Sequence, residues 1–343
     1  MASRITSMWR AYRDGWSNVA ACALLACLLL APLALRADVL IRFSHVVARD
    51  TPKGLAVERF KRLVEQRSGG RIRVTVYPAA RLYNDLDEME ALRLGAVEML
   101  APSLSKFGPI GFPEFELFDL PFLFERITDV HRITQGDVGR RLLASLSRQG
   151  LVGLGFFDNG FKQMSANRPL RAPADFQGLR MRVQASRVIA AQFRALGARP
   201  VVLAFSETRH ALAAGVVDGT ENPVSNFWTQ RMNEVQTDLS LTQHAYLGYA
   251  VVANQRFWDS LLPADRAVVT QAMQEALAYG NAIADAENER ALQDLRAAGT
   301  TRIHVLSPAQ RAELRATVQP VYDQLSTRIG AQWIRDVQQT LSR

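Results

Sequence analysis

The sequence predicts an α/β protein of two lobes with a cleft between them. Strand and helix patterns alternate over residues 39–102 and again over roughly 160–247, and one helical pattern runs from Pro263 to Ala298. A chain of 343 residues also exceeds what a single hydrophobic core usually serves. No flexible linker separates the two units, so we expect tightly joined lobes and a ligand site in the cleft.

Residues 1–37 have the pattern of a secretory signal peptide. Basic residues precede an apolar run at 19–35, and a small residue, Ala37, comes before the polar start. A proline within the run argues against the alternative, an uncleaved membrane anchor. Both cysteines, Cys22 and Cys27, lie in this segment. The exported chain is therefore predicted to have no disulfide, no cysteine nucleophile and no cysteine metal site.

The charge of the chain is mildly basic. The formal net charge is +8 at pH 7, and removal of the signal segment reduces it because that segment carries more basic than acidic residues. No block of lysine and arginine indicates nucleic-acid binding. A modest positive surplus suits a small anionic ligand.

The first unit alternates strand, helix, strand, helix and strand. Strand patterns cover 39–46, 71–78 and 96–102, with a helix at 51–70 and a shorter helix from Asp85 to Leu94. This alternation predicts a mainly parallel sheet.

The second unit follows an aromatic segment at 115–124 that we expect to pack irregularly in the core rather than bind a cofactor. The later patterns are predicted, in order, as a helix at 128–150, a strand at 151–160, a strand at 178–184, a helix at 188–198, a strand at 199–204, a helix at 206–215 and a strand at 216–223.

The strand at 178–184 raises a specific question about charge. Its apolar residues (Leu179, Met181, Val183) alternate with polar ones (Arg180, Arg182, Gln184). A solvated strand face explains two arginines most simply. The alternative is that one guanidinium points into the cleft and binds an anion.

Signals for catalysis and cofactors are absent from the sequence. There is no G-x-S-x-G motif, and the five histidines lack metal-ligand spacing. Gly153 and Gly155 form a G-x-G that leads into no helix, so the dinucleotide fingerprint fails. Asp158 and Glu221 form a possible acid–base pair only if the fold brings them together. The sequence therefore predicts no catalytic residue, no cofactor and no metal site, and an exported α/β enzyme remains as an alternative.

Several segments together resemble the periplasmic solute receptors of TRAP transporters, in the DctP branch that binds four-carbon dicarboxylates. The segments are FSHVVARDTPKG (43–54), APSLSKF (101–107), FDLPFLF (118–124), DNGFKQMSANRPLR (158–171), GLRMRVQAS (178–186), AFSE (204–207), GVVDGTENPVSNFWTQ (215–230) and YLGYAVVANQRFW (246–258). The resemblance implies a periplasmic solute-receptor fold with an interlobe cleft and a long helix spanning both lobes. Lobe I is expected to comprise 38–159 plus 248–287, and lobe II 160–247 plus 288–343.

The resemblance also implies a function. A receptor of this kind captures a small organic acid in the periplasm and delivers it to the membrane subunits of a TRAP permease, without catalysing a reaction. The favoured ligand is a four-carbon dicarboxylate such as succinate, fumarate or malate, and the receptor is expected to be a monomer that binds no nucleic acid. Alternatives are a sugar acid, sulfonate or aromatic acid ligand in the same receptor class, an exported enzyme, or a sensory protein that presents its ligand to a kinase.

The family pattern assigns the substrate-binding residues. Arg182 is implied to form a bidentate salt bridge with a ligand carboxylate, since a planar guanidinium matches a carboxylate in geometry and charge; Arg180 is expected to be solvated. The other implied substrate-binding residues are Asn222 beside Arg182, Lys162 facing the cleft, Lys53 as the second anchor, Asn159, Ser103 and Lys106 as hydrogen-bond partners, and Phe227 with Trp228 as walls. The sequence departs from the family at Arg209 and His210, where relatives often have an aromatic residue near the site.

Overall fold

The computed structural model describes residues 38–342. The predicted signal peptide and both cysteines lie outside this range. Within it, none of the helices combines the length and the apolar character needed to cross a bilayer.

Nine strands form one mixed sheet in the order β2-β1-β3-β8-β4-β7-β5-β6, and β9 pairs with β8. The strands are β1 (Val39–Ser44), β2 (Ile72–Tyr77), β3 (Met99–Leu100), β4 (Leu151–Ala166), β5 (Arg180–Val183), β6 (Arg199–Val202), β7 (Gly219–Asn222), β8 (Asp238–Asn254) and β9 (Arg302–Val305). The sheet therefore has two outer parts, β2-β1-β3 and β7-β5-β6, which β8 and β4 join.

The centre of the sheet is a long antiparallel ladder between β4 and β8, so the prediction of a mainly parallel sheet is wrong there. The parallel pairs lie outside that ladder, at β1 with β3, β5 with β6 and with β7, and β8 with β9. Almost every residue of β8 is buried, so its sequence lacks the period-two alternation that reveals a strand with one solvated face. The ladder shifts register between Asp158 and Gly160 and between Lys162 and Met164.

Twelve α-helices accompany the sheet within residues 38–342. They are α1 (Pro52–Arg67), α2 (Glu88–Leu94), α3 (Ile127–Thr134), α4 (Asp137–Ser145), α5 (Arg187–Ala195), α6 (Thr208–Ala213), α7 (Val224–Thr229), α8 (Gln255–Ser260), α9 (Pro263–Ala298), α10 (Pro308–Val318), α11 (Pro320–Ile329) and α12 (Ala331–Leu341). Short 3₁₀ helices lie at Leu104–Lys106, Pro113–Asp119, Leu146–Gln149, Pro173–Phe176, Phe205–Glu207 and Met232–Glu234.

Most helix predictions agree with these bounds, and the long helix α9 agrees at both ends. The single helix predicted for 128–150 is divided at Gly136, where a Cβ would lie 2.3 Å from the carbonyl oxygen of Arg132. The helix predicted to begin at Ser206 instead starts with the 3₁₀ turn Phe205–Glu207, and α6 follows it.

Helix α9 packs against α1, β4 and α7, so it contacts elements along much of the molecule. The contact with α1 is close because Gly280 has no side chain: a Cβ there would lie 2.9 Å from the Cβ of Ala56. The N-cap of helix α1 is Thr51, whose hydroxyl accepts a hydrogen bond from the backbone N–H of Gly54 at 3.2 Å.

Two clusters of buried apolar side chains in the described part of the chain pack around the site. The larger contains Phe107, Phe115, Phe118 and Phe124, and the C-terminal helices α11 and α12 pack on it. This confirms that the aromatic segment 115–124 is core-packed. The smaller cluster lies around β5 and α5 and includes Phe176, Met181, Val183, Ile189 and Phe193.

Candidate functional site

A polar cavity lies between the two outer parts of the sheet. Its lining comes from the segments after β1, β2 and β3 on one side, from β5 and the turn after β6 on the other, and from β4, β7, α7 and β8 at its base. The lining residues are Val46, Val47, Asp85, Ser103, Lys106, Lys162, Arg182, Gln184, Phe205, Glu221, Asn222, Asn226, Leu247 and Tyr249.

Arg182 is held inside this cavity. Arg182 is only 1% exposed, although it lies on the polar face of the predicted strand. Nε and Nη2 donate hydrogen bonds of 3.0 and 2.9 Å to the carbonyl oxygen of Leu203. Nη2 also lies 3.5 Å from Asp85 Oδ2, and the guanidinium carbon lies 5.6 Å from the ring centre of Phe205. These contacts fix the plane of the guanidinium, and among the described residues no hydrogen bond uses Nη1.

Asp85 connects the two sides of the cavity. It lies in the segment between β2 and α2, yet its Oδ1 accepts a hydrogen bond of 2.6 Å from the backbone N–H of Phe205, which follows β6. Burial alone would raise the pKa of Asp85, but Lys106, Arg182 and this N–H together lower it below its usual value. The carboxylate is therefore ionised at neutral pH, and its hydrogen bond to Phe205 connects the two sides of the cavity. Gln184 makes a second such connection, donating to Ser103 Oγ at 2.7 Å.

Lys162 and Glu221 form the base of the cavity, and His244 supports Glu221 from outside the lining. Lys162 Nζ donates to Glu221 Oε1 at 2.8 Å, and Glu221 Oε2 lies 2.7 Å from His244 Nε2. Burial would raise the pKa of Glu221, but Lys162 and His244 lower it to about 2. Burial lowers the pKa of His244 despite its bond to Glu221. Glu221 is thus anionic and fixes the position of Lys162.

Lys106 occupies the side of the cavity formed by the first unit. Its Nζ lies 2.5 Å from Glu88 Oε1 and 3.8 Å from Asp85 Oδ2. The remaining polar lining comes from Asn222, which donates to Thr220 Oγ1 at 3.3 Å, and from Asn226, whose Oδ1 is buried without a hydrogen-bond partner. Amide and ammonium donors thus accompany Arg182 in one enclosed space.

The structure brings five of the predicted substrate-binding residues together in this lining: Arg182, Asn222, Lys162, Ser103 and Lys106. Their contact with a ligand stays a prediction. The other three predicted residues are buried but lie outside the lining.

Lys53 is the first of these three. Its Nζ donates to the carbonyl oxygen of Ala101 at 2.8 Å and lies 3.6 Å from the ring centre of Tyr249. Burial lowers the pKa of Lys53 to about 7, with Glu88 opposing the shift and Lys106 adding to it. Lys53 therefore stands behind Tyr249, which itself lines the cavity.

Asn159 and Phe227 are the other two. Asn159 is fully buried on β4, and neither its Nδ2 nor its Oδ1 has a hydrogen-bond partner. Phe227 is 1% exposed and packs inside the protein from α7; its predicted partner Trp228 is half-buried.

The remaining basic residues considered from the sequence face elsewhere. Arg180 is exposed and pairs with Asp218, with 2.7 Å between Nη2 and Oδ1, as expected for a solvated arginine. Arg209 pairs with Glu234, and His210 is exposed, so neither lines the cavity. Asp158 and Glu221 belong to different groups, since Asp158 pairs with His131 at 2.6 Å while Glu221 pairs with Lys162.

Sequence reasoning missed Asp85, Phe205, Gln184 and Asn226. Gln184 had a signal, because it is the third polar residue on the same strand face as Arg182. Asp85 was read only as the start of a helix, and no local pattern connects it to residues after β6. Among the described residues, no group of three or more histidine, aspartate and glutamate side chains is arranged to hold a metal ion.

Comparison with known proteins identifies relatives over most of the chain. The model of a family described as bacterial extracellular solute-binding protein, family 7 (DctP), matches residues 43–328. The C4-dicarboxylate-binding periplasmic protein DctP of Rhodobacter capsulatus is 53% identical over 305 residues, which cover 89% of this chain and 91% of the relative.

Two crystal structures of TRAP periplasmic solute-binding proteins are also similar. The protein from Shewanella oneidensis with bound succinate has a TM-score of 0.87 and 42% identity, covering 89% of this chain and 100% of that one. The protein from Pseudomonas aeruginosa with bound L-malate has a TM-score of 0.81 and 40% identity, covering 83% and 99%. This similarity confirms the predicted two-lobed α/β fold class.

Proposed function

The chain belongs to the DctP family of bacterial extracellular solute-binding proteins, and from that premise we propose that it captures a four-carbon dicarboxylate for a TRAP transporter. The two similar crystal structures hold succinate and L-malate, both four-carbon dicarboxylates. The relative from Rhodobacter capsulatus carries a C4-dicarboxylate-binding name. Succinate, fumarate and malate are therefore the first ligands to test.

The observation that carries the proposal is the burial of Arg182 in the cavity with its plane fixed. Leu203 and Asp85 restrain the guanidinium from two directions. A buried arginine that is already oriented loses little side-chain entropy when it binds a carboxylate, which favours tight binding. As part of the proposal, Arg182 forms a bidentate pair with one ligand carboxylate, in which Nη1 and the second N–H of Nη2 are the donors, because Nε and the first N–H of Nη2 are bound to Leu203.

The second carboxylate of the ligand is proposed to bind near Lys106 and Lys162. Both ammonium groups line the same cavity as Arg182, and both are held by buried carboxylates. Asn222 and Ser103 supply further donors beside them. Lys53 acts from behind Tyr249 in this proposal, as a charge that raises the potential of the cavity rather than as a direct contact.

The proposal includes delivery and location. The receptor is exported by its N-terminal segment to the periplasm, binds as a monomer, and passes its ligand to the TRAP permease without chemical change. Support for a receptor rather than an enzyme is that the family is one of solute-binding proteins. A turnover assay with each acid tests this part directly.

Calorimetric titration with succinate, fumarate and L-malate tests the ligand class. We expect micromolar or tighter dissociation constants for the unmodified protein. Because removing one member of a desolvated ion pair costs about 2–5 kcal/mol, Arg182→Ala is expected to weaken binding at least about 30-fold. The matched control is Arg180→Ala, which removes an exposed arginine from the same strand and is expected to leave affinity within about twofold. Binding of galactonate or orotate but of none of the three dicarboxylates would refute the ligand class.

A further inference from the structure

Charged side chains are balanced around the cavity. Eight of them, all buried, form what we call the charged cluster: Lys53, Lys106, Lys162, Arg182, Asp85, Glu88, Asp119 and Glu221. Four are basic and four are carboxylic. In an interior of low dielectric constant, a net charge is costly unless it is compensated. A dicarboxylate dianion that enters this cluster adds two negative charges to a group that is already neutral in its formal count.

Asp119 is the carboxylate of the cluster with the weakest compensation. It ends the 3₁₀ helix Pro113–Asp119 and is 2% exposed. Its Oδ1 accepts a hydrogen bond of 2.7 Å from Ser105 Oγ, whereas its Oδ2 is buried without a hydrogen-bond partner. Its nearest cation, Lys162 Nζ, is 3.9 Å from Oδ1 and is already bound to Glu221 at 2.8 Å.

The other three carboxylates have closer partners. Both oxygens of Glu221 are in contact, with Lys162 and His244. Asp85 accepts from Phe205 and lies near Arg182 and Lys106. Glu88 also has one free oxygen, but its other oxygen makes a direct ion pair of 2.5 Å with Lys106. Extra negative charge in the cavity is therefore relieved most easily at Asp119.

We propose that the receptor binds its dicarboxylate dianion together with one proton, which it takes from the solution and holds on Asp119. This inference rests on the proposed function. The proton adds to Oδ2, where it meets no competing hydrogen bond. Protonation neutralises Asp119, so that Glu221 is the one charged carboxylate left close to Lys162. The positive charge of Lys162 is then less compensated and attracts the ligand more strongly.

The surroundings of Asp119 agree with this assignment. The charged groups that act on it are Lys162 on β4 and Glu116 on its own helix, and the polar groups are Ser105 and Ser186. Glu116 pairs with Arg328 of α11, and Lys162 pairs with Glu221 of β7. Burial raises the pKa of Asp119 to about 6, although Lys162, Ser105 and Ser186 oppose the shift. A bound dianion raises this pKa further, so between the two pKa values the complex holds one more proton than the free receptor.

The sign of the pH dependence follows. At a pH above the pKa of Asp119 in the complex, the affinity does not depend on the titration of Asp119. The same holds at a pH below its pKa in the free receptor. Between these two pKa values, the dissociation constant rises by up to tenfold for each unit of pH. Because the free value is about 6, we expect fumarate to bind more weakly at pH 7.5 than at pH 6.5.

Titration calorimetry measures the proton directly. Fumarate is the probe, because its carboxyl groups are strong enough acids to be fully ionised at pH 7. The binding enthalpy is measured at pH 7 in phosphate and in imidazole buffer, whose ionisation enthalpies differ, and the difference gives the number of protons taken up. We expect between about 0.5 and 1 for the unmodified protein and for Glu114→Gln, which changes a carboxylate of the same helix that pairs with Arg148 away from the cavity.

Asp119→Asn is expected to bind fumarate with no proton uptake and with an affinity that is flat between pH 6.5 and 7.5. Uptake near zero in the unmodified protein, with measurable binding, would overturn the inference and leave the proposed function intact. Uptake that persists in Asp119→Asn and is lost in Lys53→Met would also overturn it, since the proton would then be on the lysine. Absence of binding heat for all three dicarboxylates would refute the proposed function itself. The buffer comparison on the unmodified protein decides whether a proton is taken up even where a variant fails to fold, and the two variants decide which residue holds it.

Discussion

Replacing Asp85 by alanine should accelerate ligand release. Arg182 and Lys162 are each 1% exposed in this structure, so a ligand bound between them leaves only when the two sides of the cavity separate. Asp85 resists that separation through its hydrogen bond of 2.6 Å to the backbone N–H of Phe205 and its proximity to Arg182. The substitution removes both contacts and leaves a buried N–H without its acceptor.

The expected size follows from the type of bond. A hydrogen bond to a charged group contributes about 1.5–3 kcal/mol to the state in which it forms. The bond stabilises only the state in which the two sides of the cavity are together, so its loss lowers the barrier to their separation by the same amount. Each 1.4 kcal/mol corresponds to about tenfold in rate, and succinate should therefore dissociate about 10- to 100-fold faster. The association rate should stay within about threefold, since encounter with the separated sides does not depend on the bond.

Stopped-flow fluorescence, with displacement of bound succinate by excess L-malate, measures the dissociation rate. Asp85→Asn should lie between the unmodified protein and Asp85→Ala, because its amide oxygen still accepts from Phe205 but carries no charge for Arg182. Asp87→Ala is the matched control, as it removes an exposed aspartate from the same segment. An unchanged dissociation rate in Asp85→Ala, with a normal rate of association, would refute the view that this carboxylate holds the two sides together.

Two further predictions concern stability. Glu221→Gln should lower the free energy of unfolding by about 3–5 kcal/mol, because it leaves Lys162 as a buried cation without its direct partner. Urea denaturation without ligand measures this free energy. The control variant Glu207→Gln, at an exposed position, should change it by less than about 0.5 kcal/mol. His131 pairs with Asp158, whose hydrogen bond raises the pKa of the imidazole, so its stabilising effect is complete below the ordinary histidine pKa and disappears as pH rises through the raised value. The difference in unfolding free energy between the unmodified protein and His131→Gln should therefore be larger at pH 5.5 than at pH 8.5, and equal differences would contradict this reading.

Sequence patterns predicted the parts of the site that depend on local periodicity. The alternation around Arg182 identified a strand, but it places Arg180 and Arg182 on the same face, and only the family resemblance distinguished the arginine expected in the cleft from the solvated one. The bounds of α9 also followed from sequence, since Pro263 begins the helix and Gly299 ends it with a φ of 63°.

Other parts of the site depend on contacts between distant segments. Asp85 and Phe205 are 120 residues apart in sequence, and no spacing rule links them. Lys53 lies in the first turn of a helix as expected, but the ring of Tyr249, which comes from the distant strand β8, lies between it and the cavity. Arg209 differs from the family pattern without consequence for the cavity, because Glu234 holds it at the surface.

The central ladder gives the molecule a particular mechanical character. Strands β4 and β8 run through the joint between the two outer parts of the sheet, and their pairing loses register on either side of residues 160–162. A pair of strands bends most easily where its register is irregular. Lys162 lies at this irregular stretch of β4, and its side chain lines the cavity. If the receptor works as proposed, the ammonium group that attracts the solute therefore stands on the short length of backbone where we expect the molecule to bend when the solute enters or leaves.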